Sequence, residues 1–254
     1  NALFNHLICK VNHMAYPQTY VDLLDRLSRR GCPVCGLLLH NEHQYLDSLL
    51  YEFVNDTGIQ QSIRRGRGLC NHHSWLLTQH YGYSLGVSIL CEAALDEVIS
   101  LLDSENSPFH RSKLGTTLSN WFGGDTRLAD KLEPEIPCPA CDSLRIAETQ
   151  YIATFAEYWS DSALQSAYQQ SNGLCLPHFR EVLRHIPAPE VRADLIDIQR
   201  AKWEALKNEL NQFQVKSAFN YVGEPIGAEA DCWRRAVAAL TGGEHALLTL
   251  TRPR

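Results

Sequence analysis

Cys32-Pro33-Val34-Cys35, followed after 34 intervening residues by Cys70-Asn71-His72-His73, decides the reading of this chain, because the arrangement returns as Cys138-Pro139-Ala140-Cys141 and Cys175-Leu176-Pro177-His178. Both downstream pairs are entered through the same turn, Gly68-Leu69-Cys70 and Gly173-Leu174-Cys175. With the sequence displaced by 106 residues, Glu42, Gln44 and Tyr45 meet Glu148, Gln150 and Tyr151. At the same offset the apolar positions Leu46, Leu49 and Phe53 meet Ile152, Phe155 and Trp159. A one-residue deletion then shifts the offset to 105, and Asp56, Ile59 and Gln60 meet Asp161, Leu164 and Gln165. Agreement in both order and spacing at this many points marks an internal duplication. His73 meets His178, whereas His72 has no histidine counterpart and reads as a bystander.

The duplicated residues have the chemistry of metal ligands. Thiolate sulfur and neutral imidazole nitrogen are zinc's preferred donors, and a Cys3His set closes a tetrahedron with no open position. The eight expected ligands are Cys32, Cys35, Cys70, His73, Cys138, Cys141, Cys175 and His178. A turn between paired cysteines, stiffened by Pro33 or Pro139, lets both sulfurs face one ion. Cys70 and His73 are three apart, so at a helix start they share a face. Gly68 and Gly173 are expected to let the backbone bend before the third ligand. Two zinc ions are the expected cofactors, Cys-Pro-x-Cys-Gly being a common zinc-knuckle form, and two [4Fe–4S] clusters are the alternative. The sequence leaves open whether each repeat closes its own site or exchanges ligands with the other.

Outward from these motifs the apolar spacing is helical. Tyr20, Leu23, Leu24 and Leu27 predict a helix over 18–30 closed by Gly31, and further helices are expected over 37–54, up to Arg65, over 71–81 and over 84–103. Residues 189–219 predict a long helix with Val191, Leu195, Ile198, Trp203, Leu206, Leu210 and Phe213 inward. A last short helix over 228–240 is stopped by Gly242-Gly243. No alternating strand pattern stands out, so the fold class is all-α, a duplicated helical metal-binding unit with a long C-terminal helix. The expected divisions are 1–103 (N-terminal helix and first repeat), 104–133 (connecting segment with an amphipathic piece at 114–122), 134–188 (second repeat) and 189–254 (long helix and tail). Tyr45, Phe53, Tyr151 and Trp159 read as core, His40 and His43 as surface residues, and Cys9, Cys91 and Cys232 as buried small hydrophobes.

Composition narrows the function classes. The 254 residues carry a net charge of −6, which argues against whole-molecule attraction to nucleic acid or an anionic membrane. No apolar run approaches the roughly 20 residues that span a bilayer. Asn1–Tyr16 lacks the order of a signal peptide, so a cytoplasmic location is expected, although a leader could precede Asn1. Were one ion to draw Cys32 and Cys70 together, Arg29, Arg30, Arg64, Arg65 and Arg67 would gather beside it, offsetting thiolate charge or offering an anionic contact. No Gly-rich phosphate loop, Gly-x-Ser-x-Gly elbow or HExxH is present, and closed ligand shells do not favour catalysis.

The paired motifs, with the tail Glu224-Pro225-Ile226-Gly227-Ala228-Glu229-Ala230-Asp231-Cys232-Trp233-Arg234, resemble a bacterial family catalogued only as a domain of unknown function. The resemblance spans nearly the whole chain, implies a soluble helical protein with the same eight ligands, and supplies no activity. The function expected is a non-enzymatic, metal-stabilised scaffold or adaptor that binds a protein partner. An electron-transfer protein with two [4Fe–4S] clusters and a dithiol redox protein are the alternatives.

Overall fold

The computed structural model of the protein describes residues 16–79, 82–106, 127–219, 221–244 and 246. Cys9 and the amphipathic piece expected at 114–122 lie outside these residues. All regular structure among the described residues is helical: α1 (Gln18–Leu27), α2 (Pro33–Tyr51), α3 (Thr57–Arg65), α4 (Asn71–Leu77), α5 (Ser84–Asn106), α6 (Arg127–Leu132), α7 (Pro139–Glu157), α8 (Ser162–Gln170), α9 (Leu176–His185), α10 (Pro189–Lys216), a 3-10 turn (Ala228–Asp231) and α11 (Cys232–Thr241). The chain divides into two compact units, residues 1–34 with 150–241 and residues 35–149 with 242–254.

In the first unit Tyr20, Leu23 and Leu27 are buried on one face of α1, as their three-and-four spacing requires. The centre is aromatic. Trp159 is fully buried, stacked on Phe155 at 5.6 Å and met edge-on by Tyr168 at 5.3 Å. Asp161 begins α8 by accepting from the backbone N–H of Ala163 and Leu164. Its carboxylate also accepts from the Tyr20 hydroxyl at 2.8 Å, where α1 packs on α8. α10 ends at Lys216, three residues before the expected limit. Of its seven expected inward residues only Leu195 is fully buried; the others are half-buried, and Trp203 lies edge-on against Phe179 at 5.3 Å. α11 packs against both α9 and α10.

In the second unit Leu46, Leu49 and Leu50 of α2 cluster with Ile63 of α3, Leu77 of α4, Leu90 and Ala93 of α5 and Ala140 of α7. Asp56 caps α3 through the N–H of Ile59, occupying the place that Asp161 holds in the other repeat. Two core expectations need correction here. Phe53 is 45 % exposed. The rings that enclose its counterpart Trp159 are Phe155 and Tyr168, and the first repeat has Leu49 and Ile63 at those positions, so it lacks both of those rings. Cys91 is also exposed, on the outer side of α5, whereas Cys232 is fully buried at the start of α11.

Candidate metal centres

All four ligand pairs stand at helix N-termini. Cys70 and Cys175 are the N-cap residues of α4 and α9, in extended backbone conformation. Cys32 and Cys138 immediately precede Pro33 and Pro139, the first residues of α2 and α7. Proline fits this first position because its missing N–H would have no partner there and its fixed φ matches the helix. The turn expected between the paired cysteines is thus the first turn of a helix. In each pair the second ligand follows three residues later, which turns both side chains toward one point. The carbonyl oxygens of Cys70, Cys138 and Cys175 accept from the N–H of Ser74, Asp142 and Phe179 at 2.9, 3.0 and 2.8 Å, closing the first helical bond. The N–H groups of the first turn and the positive end of each helix favour thiolate over thiol.

Gly68 and Gly173 place the second pair of each repeat by adopting φ of +96° and +81°, a conformation that L side chains disfavour. The turn before Cys175 is further held by α10. Leu174 N–H donates to Gln199 Oε1 at 3.0 Å, and Lys202 Nζ donates to the carbonyls of Gln169 and Ser171 at 2.8 and 2.7 Å.

The structure brings the eight predicted residues together in two groups, and the groups exchange partners between repeats. Cys32 and Cys35 join Cys175 and His178, all buried, while Cys138 and Cys141 join Cys70 and His73, and within each group the donor atoms lie within 4.8 Å of one another. The division between the two units falls inside the first turn of α2, just before Cys35. In the first group His178 Nδ1 is 3.4 Å from Cys32 Sγ and 3.2 Å from Cys175 Sγ. The Gly243 N–H donates to Cys35 Sγ at 3.2 Å. In the second group His73 Nδ1 is 3.1, 3.5 and 3.4 Å from the sulfurs of Cys70, Cys138 and Cys141, and Cys70 Sγ is 3.6 Å from Cys141 Sγ. Each group can therefore hold one metal ion with a Cys3His donor set.

The second group is poised to exchange protons for a cation. Hydrogen bonding from Cys141, and then from His73 and the backbone N–H groups of Cys70 and Cys141, outweighs burial and holds the Cys138 thiol well below the ordinary thiol range. Cys141, the donor in that bond, is pushed up. Burial opposes charge on His73, yet its contacts with Cys138 and Glu42 raise it to about 10. A metal ion binds the deprotonated forms, so its entry here releases protons.

Two residues near this centre escaped the sequence reading. Glu42 is buried to 2 % exposure, and its Oε1 lies 2.7 Å from His72 Nε2 and 3.0 Å from His73 Nε2. Burial works against its charge, but the two imidazoles hold the carboxyl below its ordinary value. His72 is therefore not a bystander. The signal was present in the repeat, since Glu42 and Glu148 each stand seven residues, or two helical turns, beyond the second cysteine of a CPxC pair. His40 and His43 are exposed, as expected.

The arginine cluster expected around one ion needs correction, because Cys32 and Cys70 belong to different groups. Arg29 pairs with Asp25 at 2.7 Å and Arg30 with Asp231 at 3.8 Å in the first unit. In the second unit Arg64 pairs with Asp96 at 3.6 Å, and Arg65 and Arg67 share Glu135 at 3.2 and 3.0 Å. None of the helices among the described residues is long and apolar enough to cross a membrane.

The chain belongs to the Family of unknown function (DUF6062), which matches it over residues 21–246. It is 22% identical over 226 residues to the "Uncharacterized 23.9 kDa protein in xynA 3'region" of Caldicellulosiruptor sp. (strain Rt8B.4), a match that covers 87% of this chain and 99% of that protein. No solved structure matches.

Proposed function

We propose that this protein is a helical scaffold stabilised by two structural zinc ions, one held by Cys32, Cys35, Cys175 and His178 and the other by Cys70, His73, Cys138 and Cys141. The observation that carries the reading is the closeness of the donor atoms. A tetrahedral ion with bonds of roughly 2.3 Å to sulfur and 2.0 Å to nitrogen sets its donors about 3.5–3.8 Å apart. Four of the six donor separations in the second group are 3.1–3.6 Å, near this range, and all lie within 4.8 Å. A [4Fe–4S] cluster would hold its donors farther apart, since the cube of iron and sulfide occupies the space between them. Zinc supplies no redox chemistry. With four protein donors it also leaves no position for water or substrate, so the work of each ion here is to hold two helix ends together.

A scaffold acts through its surface, and we assign this one a protein partner. Leu95, Ile99 and Leu102 are exposed at helical spacing along α5, a feature that supports such contact. Reduced thiols persist in a reducing compartment, which supports a cytoplasmic location.

The test is to purify the protein without oxygen or chelator, record its visible spectrum, and determine zinc, iron and acid-labile sulfide per chain. Two zinc per chain with a featureless spectrum is the expected result. Iron and sulfide in equal amounts, with broad absorption bleached by dithionite, would replace the scaffold reading with electron transfer.

A further inference from the structure

We infer that Glu42 is a positioning residue of the second metal centre, its carboxylate accepting a hydrogen bond from the Nε2–H of His73 so that Nδ1 is the nitrogen presented to the metal. This rests on the metal reading above and adds a residue that is not itself a ligand. Burying a carboxylate at 2 % exposure is unfavourable unless hydrogen-bonding partners compensate it. The partners here are two imidazole nitrogens, His72 Nε2 at 2.7 Å and His73 Nε2 at 3.0 Å, both facing the same oxygen.

His73 is fully buried, and its two nitrogens face different chemistry. Nδ1 looks onto all three sulfurs of its group, at 3.1, 3.5 and 3.4 Å. Nε2 has no well-aligned hydrogen-bond acceptor among the described residues, and Glu42 Oε1 stands within bonding distance but off the N–H direction. A carboxylate behind a metal-bound imidazole fixes the tautomer, holds the ring plane and raises the basicity of the coordinating nitrogen.

The repeat supports the same conclusion independently of these distances. In α2 the second copy replaces His40, Asn41 and His43 by Ile146, Ala147 and Thr149, yet it retains the glutamate as Glu148, with Gln44 and Tyr45 as Gln150 and Tyr151. Glu148 is also fully buried. A buried carboxylate retained in both copies beside retained ligands is what a role tied to the metal would preserve.

The experiment compares zinc release from the wild-type full chain with release from Glu42→Gln, Glu42→Ala and Glu42→Leu, using a colorimetric chelator, with histidine 15N NMR on the zinc-loaded proteins. In the wild type, His73 should carry metal on Nδ1 and a proton on Nε2. The Ala and Leu variants should weaken zinc binding at one of the two sites by about 10–100-fold, with Gln, which keeps an acceptor oxygen and the side-chain volume, in between. A role in packing alone predicts that Leu resembles the wild type. Metal on Nε2, unchanged release in all three variants, or a third zinc bound through Nε2 would overturn the inference. A wild type without zinc would instead sink the metal reading itself, and measuring its content first separates the two failures.

Discussion

At the scale of single residues, the duplicated glycine before the third ligand does more than permit a bend. Gly173 has φ of +81°, and a Cβ built there would lie 2.7 Å from Gln199 Oε1 and 2.8 Å from Lys202 Cδ. Gly173→Ala therefore combines a left-handed alanine with a collision against the two side chains that hold the Gly-Leu-Cys turn. It should destabilise the protein by about 2–3 kcal/mol. Gly31 has a similar φ of +87°, but its added Cβ would meet nothing within 4 Å. Gly31→Ala should accordingly cost only about 1 kcal/mol, the left-handed penalty alone. Denaturant midpoints of the two variants, measured with metal present, check the difference; equal losses would mean that the contacts with α10 do not matter. The glycine is legible in the sequence, but its close approach to Gln199 is not, because no spacing rule links a turn residue to a helical one 26 positions away.

At the scale of elements, the ligand pairs and helix starts coincide. The sequence placed each pair beside a helix, and the structure places each pair at the N-cap and third position of one, where the dipole and free N–H groups favour thiolate. The long C-terminal helix was legible from its apolar stripe, although that stripe is mostly half-buried. What secures its far end is an ion pair that no periodicity announces. Lys216 Nζ lies 2.8 Å from Glu229 Oε1 of the 3-10 turn. The Lys216 ammonium beside it, with backbone N–H groups of the turn, holds the Glu229 carboxyl down to about 2, below its ordinary 4.5. A carboxyl lowered on folding contributes stability that is complete above its unfolded value and disappears as pH falls through its folded one. The stability difference between wild type and Glu229→Gln should thus be present at pH 6, shrink below about 4.5 and vanish near 2. Urea unfolding across this range measures it, and a difference that persisted at pH 2 would refute the assignment.

At the scale of the whole molecule, the exchange of ligands between repeats makes a prediction that single substitutions cannot test. Cys32→Ala with Cys175→Ala removes two donors from one group, whereas Cys32→Ala with Cys70→Ala removes one donor from each. The first double variant should keep one zinc per chain and the second should keep none. If each repeat closed its own site, the two results would be reversed. Elemental analysis of the two purified variants decides between them. The exchange also ties the stability of each centre to both repeats, so metal binding and folding are linked across the chain.

The sequence by itself determined the helical class and singled out, through the repeated motif, the eight residues that the structure gathers into two groups. These are local matters: apolar residues every three or four positions report a helix, and thiolates and imidazoles at fixed short spacing report a metal wherever the chain runs. Only the tertiary structure decided which pairs share a site, because two equivalent CPxC pairs and two equivalent CxxH pairs are chemically interchangeable, and the choice depends on how the intervening helices pack. The same holds for Glu42. Its recurrence as Glu148 was visible in the repeat, but a carboxylate seven residues from a cysteine acquires a role only when folding carries it to a histidine 31 residues away.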